Sequence, residues 1–226
     1  LDITPSVSTY HAYAGRVLRS HGMRLGFDTD QPPIGDAMAW QLARDVVQKF
    51  SETEYRLDGS VNKVIEKVIK LSSEMNEHSV TAEQIREVSL PLLEKLSPVD
   101  ATNDATRDLI ATLQERLAML PMVELYKSIR FEKGMLTFDD HMAIVAELAE
   151  KFTDISESER LKYPLVILDE YQDTSYSQVR FLSGLFRDGH AVTAVGDPNQ
   201  AIYGWRSANS RTLETFPGIF IGNSSS

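Results

Sequence analysis

Leu165-Val166-Ile167-Leu168-Asp169-Glu170-Tyr171-Gln172-Asp173-Thr174 joins a short apolar run to two adjacent acids, and its reading decides the fold. Leu165 to Leu168 is too short and too uniformly apolar for an amphipathic helix, and Pro164 precedes it. The run therefore predicts a fully buried strand of a parallel sheet. Ligands of such sheets bind at the carboxyl ends of the strands, where Asp169 and Glu170 fall. A carboxylate in that place can hold Mg2+ beside nucleotide phosphates while its neighbour accepts a proton from an attacking water. Asp169 is thus the candidate metal-side acid and Glu170 the candidate base. Taken alone, the stretch fits a strand ending in a solvated acidic turn equally well.

A second block narrows that choice: Val195-Gly196-Asp197-Pro198-Asn199-Gln200-Ala201-Ile202-Tyr203-Gly204-Trp205-Arg206. Ala191 to Val195 reads as another short buried strand. Gly196 to Asn199 is turn chemistry, with glycine for backbone freedom, proline to fix its dihedral, and Asp and Asn for local hydrogen bonds. Gln200 follows the strand end, where an amide with both donor and acceptor can bond a γ-phosphate or its attacking water. Tyr203, Trp205 and Arg206 come next. Their rings can stack on unpaired bases, and the guanidinium can meet a phosphate or a base face. On their own the two aromatics read as core residues, since most tryptophans are largely buried.

Together the two blocks resemble the Walker B region and the following coupling motif of the UvrD/Rep-type superfamily 1 DNA helicases. Asp-Glu-Tyr-Gln-Asp-Thr and then Gly-Asp-x-x-Gln-x-Ile-Tyr-x-Trp-Arg occur in that family's order and spacing. Ser8-Thr9-Tyr10-His11-Ala12 looks like its Thr-Phe-His segment, which touches DNA phosphates, with Tyr10 where phenylalanine is usual. Leu136-Thr137-Phe138-Asp139-Asp140 looks like its Leu-x-Phe-x-Asp segment. The resemblance implies an α/β fold: a RecA-like P-loop NTPase motor domain with a parallel sheet, incomplete here, and an inserted all-helical subdomain. It implies ATP and Mg2+ as cofactors, with the metal at Asp169, and single-stranded DNA and single/double-strand junctions as partners. Thr9, His11 and Arg206 would hold the strand, Tyr203 and Trp205 would stack on its bases, and Gln200 would couple hydrolysis to that stacking. The alternative from another class is a catalytically inert helicase-like module that binds DNA or protein.

No Gly-x-x-x-x-Gly-Lys-[Ser/Thr] occurs, because none of the 12 glycines is followed by lysine. With Leu1 in place of Met, this leads to the expectation of an internal fragment that lacks the P-loop and the second motor domain. Zero cysteines exclude disulfides and thiolate metal sites, which suits a cytoplasmic protein. No apolar stretch approaches a membrane span. The net charge of −10 argues mildly against nucleic acid. Its distribution softens the objection: basic residues number two against one acidic in 1–22, nine against fourteen in 23–100, seven against twelve in 101–160, and five against six in 161–226.

The rest predicts helices. One spans 9–21, with Ala14, Val17 and Leu18 inward and Gly22 as C-cap. Met38, Leu42, Val46 and Phe50 recur every fourth residue. Another helix follows Ser60, and Thr81-x-x-Gln84 is a capping box opening one that runs to about Leu96. A long helix begins near Asp104 with a kink or break at Pro121, and a further one follows Thr137. An acidic loop at 154–159 precedes the strand, Ser175-x-x-Gln178 caps another helix, and a last one spans 207–216. The expected organisation is 1–22 and 101–226 as motor domain, with 23–100 as the helical insertion. Without P-loop amides and lysine to neutralise the β- and γ-phosphates, residues 1–226 alone are expected to turn over no ATP. Calorimetry and a DNA-stimulated hydrolysis assay on the isolated chain check this: stoichiometric ATP binding with stimulated turnover would overturn it.

Overall fold

A computed structural model describes residues 5–27, 32–51, 60–96, 104–187, 189–197 and 212–220. In chain order its helices are α1 (Tyr10–His21), α2 (Asp36–Ser51), α3 (Val61–Glu77), α4 (Ala82–Leu96), α5 (Asp104–Glu132), α6 (Phe138–Lys151), α7 (Thr153–Lys162), α8 (Tyr176–Phe186) and α9 (Thr212–Phe220). Two strands, β1 (Leu165–Leu168) and β2 (Ala191–Ala194), pair in parallel, with Leu165 opposite Ala191 and Leu168 opposite Ala194. The chain is mostly helical with a small parallel sheet, and it divides into two compact units, Pro33–Thr137 and the combination of Leu1–Pro32 with Phe138–Ser226. No described helix is long and apolar enough to cross a membrane.

The unit Pro33–Thr137 holds α2 to α5 around one apolar cluster. Leu42, Ala43, Val46 and Val47 of α2 face Val64, Ile65, Val68, Leu71 and Met75 of α3. Met119, Leu120, Met122, Val123 and Tyr126 of α5 close the cluster. These spacings repeat at three and four residues, the period that keeps side chains on one helical face. α4 starts with the expected capping box: Thr81 Oγ1 accepts from the Gln84 amide N–H at 3.2 Å, and Gln84 Oε1 accepts from the Thr81 N–H at 2.9 Å. α5 continues through Pro121 as one helix instead of breaking there. The neighbouring Leu120, Met122 and Val123 are fully buried, and their packing outweighs the one backbone bond that proline forgoes.

The boundaries expected at 22/23 and 100/101 differ from this division. The Ile34 N–H donates to the Leu136 carbonyl at 2.8 Å, so the chain enters and leaves the helical unit side by side. α5 belongs with α2 to α4 because its apolar face completes their cluster.

In the other unit, α6 packs between α1 and α8, and α7 lies against α6 and α8. Its core comprises Ala14, Val17 and Leu18 of α1, Val145, Leu148 and Ala149 of α6, and Phe181, Leu182, Leu185 and Phe186 of α8. Gly22 is the C-cap of α1 but is right-handed, at φ −60°. The chain continues through a 3-10 turn, and Gly26 at φ 80° takes the left-handed position that ends it. The expected acidic loop at 154–159 is instead α7, because Ile155, Ser156 and Glu159 form a buried stripe one turn apart. The last helix ends at Phe220 and not at 216, since Phe220 is buried; its expected start at 207–211 lies outside the described residues.

β1 departs most from expectation. Leu168 is buried, but Leu165 and Ile167 are 60% and 64% exposed. Successive strand residues face opposite sides. Val166 and Leu168 therefore share the packed face of the described two-stranded sheet with Val192 and Ala194, while Leu165 and Ile167 share the open one.

Because its cluster is drawn wholly from one stretch, a polypeptide of residues 33–137 is expected to unfold cooperatively by itself. Leu120→Ala in it should cost about 2–5 kcal/mol. Urea denaturation followed by circular dichroism gives both answers, and a transition without a cooperative step would refute the assignment.

Candidate functional site

The two acids lie where the parallel ladder changes step. Val195, just past β2, donates its N–H to the Leu168 carbonyl at 2.8 Å and accepts the Tyr171 N–H at 3.0 Å. In a regular parallel ladder those two partners flank a single residue. Here they flank two, Asp169 and Glu170, so the strand end carries one extra residue in the manner of a bulge. Both acids are exposed, whereas Leu168 before them and Tyr171 after them are buried.

Glu170 takes up the extra residue by adopting left-handed backbone, φ 50° and ψ 40°. Outside glycine this conformation costs about 1–2 kcal/mol. Several contacts hold it. The Glu170 N–H donates to Asp169 Oδ1 at 3.0 Å, and the Asp173 N–H donates to the Glu170 carbonyl at 3.0 Å. Gln172 Nε2 donates to Glu170 Oε2 at 2.5 Å. From α1, Tyr10 Oη donates to the Asp169 carbonyl at 3.0 Å.

Gln172 joins the two sequence blocks. Its side chain is buried, and while Nε2 holds Glu170, Oε1 accepts the Asp197 N–H at 3.2 Å. Gly196 is required beside it, because a Cβ there would stand 2.1 Å from Gln172 Oε1 and 3.2 Å from the Tyr171 nitrogen. Neither Gln172 nor Tyr10 is given a role at the site by the sequence. Gln172 is visible only as part of the quoted motif, and the Tyr10 contact spans 159 positions.

Asp169 and Glu170 stand exposed just past the end of β1. Thr9 and His11 stand exposed at the start of α1, where Thr9 Oγ1 caps the helix by accepting the Ala12 N–H at 3.2 Å. The His11 ring meets the edge of Phe138 with centroids 5.9 Å apart. Asp139 and Asp140 fall in the first turn of α6, where they complement the helix dipole. Among the described residues no group of three or more His, Cys, Asp or Glu could enclose a metal. A single exposed acid is still a suitable Mg2+ ligand, since Mg2+ commonly takes one or two carboxylates and completes its shell with phosphate and water. Gln200, Tyr203, Trp205 and Arg206 lie outside the described residues.

An acid pair raised at the end of one parallel strand, tied through an amide to the segment after the next, suits a nucleotide-hydrolysing site of the P-loop NTPase type. Within that type, the chain belongs to the UvrD/REP helicase N-terminal domain family, which it matches over residues 3–220. It is similar to the probable DNA helicase II homolog of Mycoplasma capricolum subsp. capricolum, 28% identical over 213 residues that cover 94% of this chain and 26% of that protein. It is likewise similar to the DNA helicase II of Rickettsia typhi, at 27% over 222 residues, 96% of this chain and 29% of the relative. The ATP-dependent DNA helicase PcrA of Staphylococcus aureus is 24% identical over 216 residues, 93% of this chain and 25% of PcrA. The chain spans between 25% and 29% of the length of these relatives.

The tight place at Gly196 gives a direct test. Gly196→Ala is expected to destabilise the chain by about 1–3 kcal/mol, the range for overpacking. Gly218, in α9 with nothing within 4 Å of an added Cβ, is the control, and Gly218→Ala should be neutral or stabilise by up to about 1 kcal/mol. Chemical denaturation of both variants decides it. Equal stability of the two would show that the Gln172 amide yields freely.

Proposed function

We propose that this chain belongs to the first motor domain of an ATP-dependent DNA helicase that translocates on single-stranded DNA and unwinds duplex. The observation that carries the reading is the exposed acid pair on the extra residue at the end of β1, with the second acid held by a buried amide. Family membership supports it independently. The unit of Leu1–Pro32 and Phe138–Ser226 is the motor part in this reading, and the unit Pro33–Thr137 is the helical insertion.

Asp169 Oδ1 is occupied by the Glu170 N–H, which leaves its other oxygen to take Mg2+. Glu170 Oε2 is occupied by Gln172, which leaves Oε1 to accept the proton of the attacking water. Bound ATP with Mg2+ supplies the electrophilic phosphoryl group. The chain orients the base at an exposed position and takes up the proton there. Gln200 senses the γ-phosphate in this reading. Tyr203 and Trp205 stack on bases, and Thr9, His11 and Arg206 hold the phosphodiester backbone. Single-stranded DNA and its junctions with duplex are the partners.

In the full-length protein, Glu170→Gln keeps the shape of the side chain and removes the base. ATP affinity should change little while turnover falls by about 10²-fold or more, the scale of general-base catalysis. Steady-state hydrolysis with saturating single-stranded DNA measures this, and turnover within about twofold of wild type would sink the assignment of Glu170.

A further inference from the structure

Tyr10 opens α1 between exposed Thr9 and His11, and its hydroxyl reaches the acid pair. Tyr10 Oη donates to the Asp169 carbonyl at 3.0 Å and accepts from Thr174 Oγ1 at 3.5 Å. Burial raises the pKa of this phenol above its ordinary value, so it remains a protonated donor.

That carbonyl belongs to the peptide group between Asp169 and Glu170, whose N–H is held from the opposite edge by Asp169 Oδ1 at 3.0 Å. A peptide group is planar, so bonds on both edges fix its rotation. The rotation in turn limits the φ of Glu170, the residue in left-handed backbone. Such a conformation persists only where its surroundings over-determine it.

We propose that Tyr10 is a positioning residue for ATP hydrolysis. Its hydroxyl pins the Asp169–Glu170 peptide so that the Glu170 carboxylate is aimed, and it ties that aim to the helix start that presents Thr9 and His11. The inference rests on the reading of Glu170 as base and of the α1 start as a DNA contact. A strand bound at Thr9 and His11 therefore steadies the base through a single side chain.

The test uses the full-length protein and an oligothymidylate strand as the DNA. Tyr10→Phe keeps the ring and removes the pin. DNA-stimulated kcat should fall about fivefold, the effect of one hydrogen bond lost from the reacting arrangement. KM for ATP, affinity for the strand and melting temperature should stay near wild type. In a Glu170→Gln background, single-turnover hydrolysis should show no further loss on adding Tyr10→Phe, because the group being aimed is gone. A kcat for Tyr10→Phe within about 1.5-fold of wild type would overturn the inference. So would an undiminished loss in the Glu170→Gln background, or a loss matched by a lower melting temperature and a higher KM. Near-normal turnover of Glu170→Gln alone would remove the functional reading itself, and this inference with it, which separates the two failures.

Discussion

Everything at the candidate site depends on Val195 bonding to both Leu168 and Tyr171 across two intervening residues instead of one. The ladder is regular from Leu165 opposite Ala191 to Leu168 opposite Ala194, so the mismatch falls on Asp169 and Glu170 just past it. These are the only two residues free to leave the strand's line between a buried leucine and a buried tyrosine. Left-handed backbone at Glu170 costs about 1–2 kcal/mol. Four hydrogen bonds converge on this corner, from Glu170 to Asp169, Asp173 to Glu170, Gln172 to Glu170 and Tyr10 to Asp169. At about 0.5–1.5 kcal/mol net each, they match or exceed the strain. The geometry is therefore maintained by polar contacts at the site itself, and removing any one of them shifts the balance.

Those contacts work only because their donors are fixed from behind. The Tyr171 ring is buried against the edges of Phe216 and Phe220, at centroid distances of 5.4 and 6.3 Å. α8 starts immediately after the site with a complete capping box between Ser175 and Gln178. In α1, Tyr10 and Tyr13 are three residues apart and share a face. Tyr13 Oη donates to the buried Glu159 at 2.8 Å, while its ring packs beside Phe181 and Phe186. A buried carboxylate is costly unless it is hydrogen-bonded, so this bond stabilises α7 as well as setting the rotation of α1. One tyrosine anchors the helix in the core, the next reaches the acids, and Thr9 and His11 are left facing outward.

Local patterns carried much of this into view from sequence. Apolar spacing located most of the helices, both capping boxes formed as their spacing requires, and two short apolar runs marked the strands Leu165–Leu168 and Ala191–Ala194. The features that could not be read depend on partners far along the chain. Whether one or two residues fit between Leu168 and Tyr171 is decided by Val195, and the end of the helical unit is decided by Ile34 meeting Leu136. The charged run at 154–159 reads as a loop until α1 supplies Tyr13 for Glu159. Exposure of Leu165 and Ile167 is likewise a property of what lies over the strand, not of the strand.

The Gln172 bridge gives the two sequence blocks a mechanical relation that neither contains alone. Its amide has one donor on the Glu170 carboxylate and one acceptor on the Asp197 N–H, and the bare Cα of Gly196 leaves the space in which the amide lies. A rigid planar amide cannot follow one partner without turning relative to the other. A shift of the Gly196–Asp197 segment by a fraction of an ångström is therefore felt at Glu170, and Asp197 stands three residues before Gln200 in the second block. On the proposed reading, phosphate sensing and proton acceptance then share one lever, with Tyr10 bearing on the same peptide from the DNA side. The two inputs meet at Glu170 because it is the residue that the ladder leaves over.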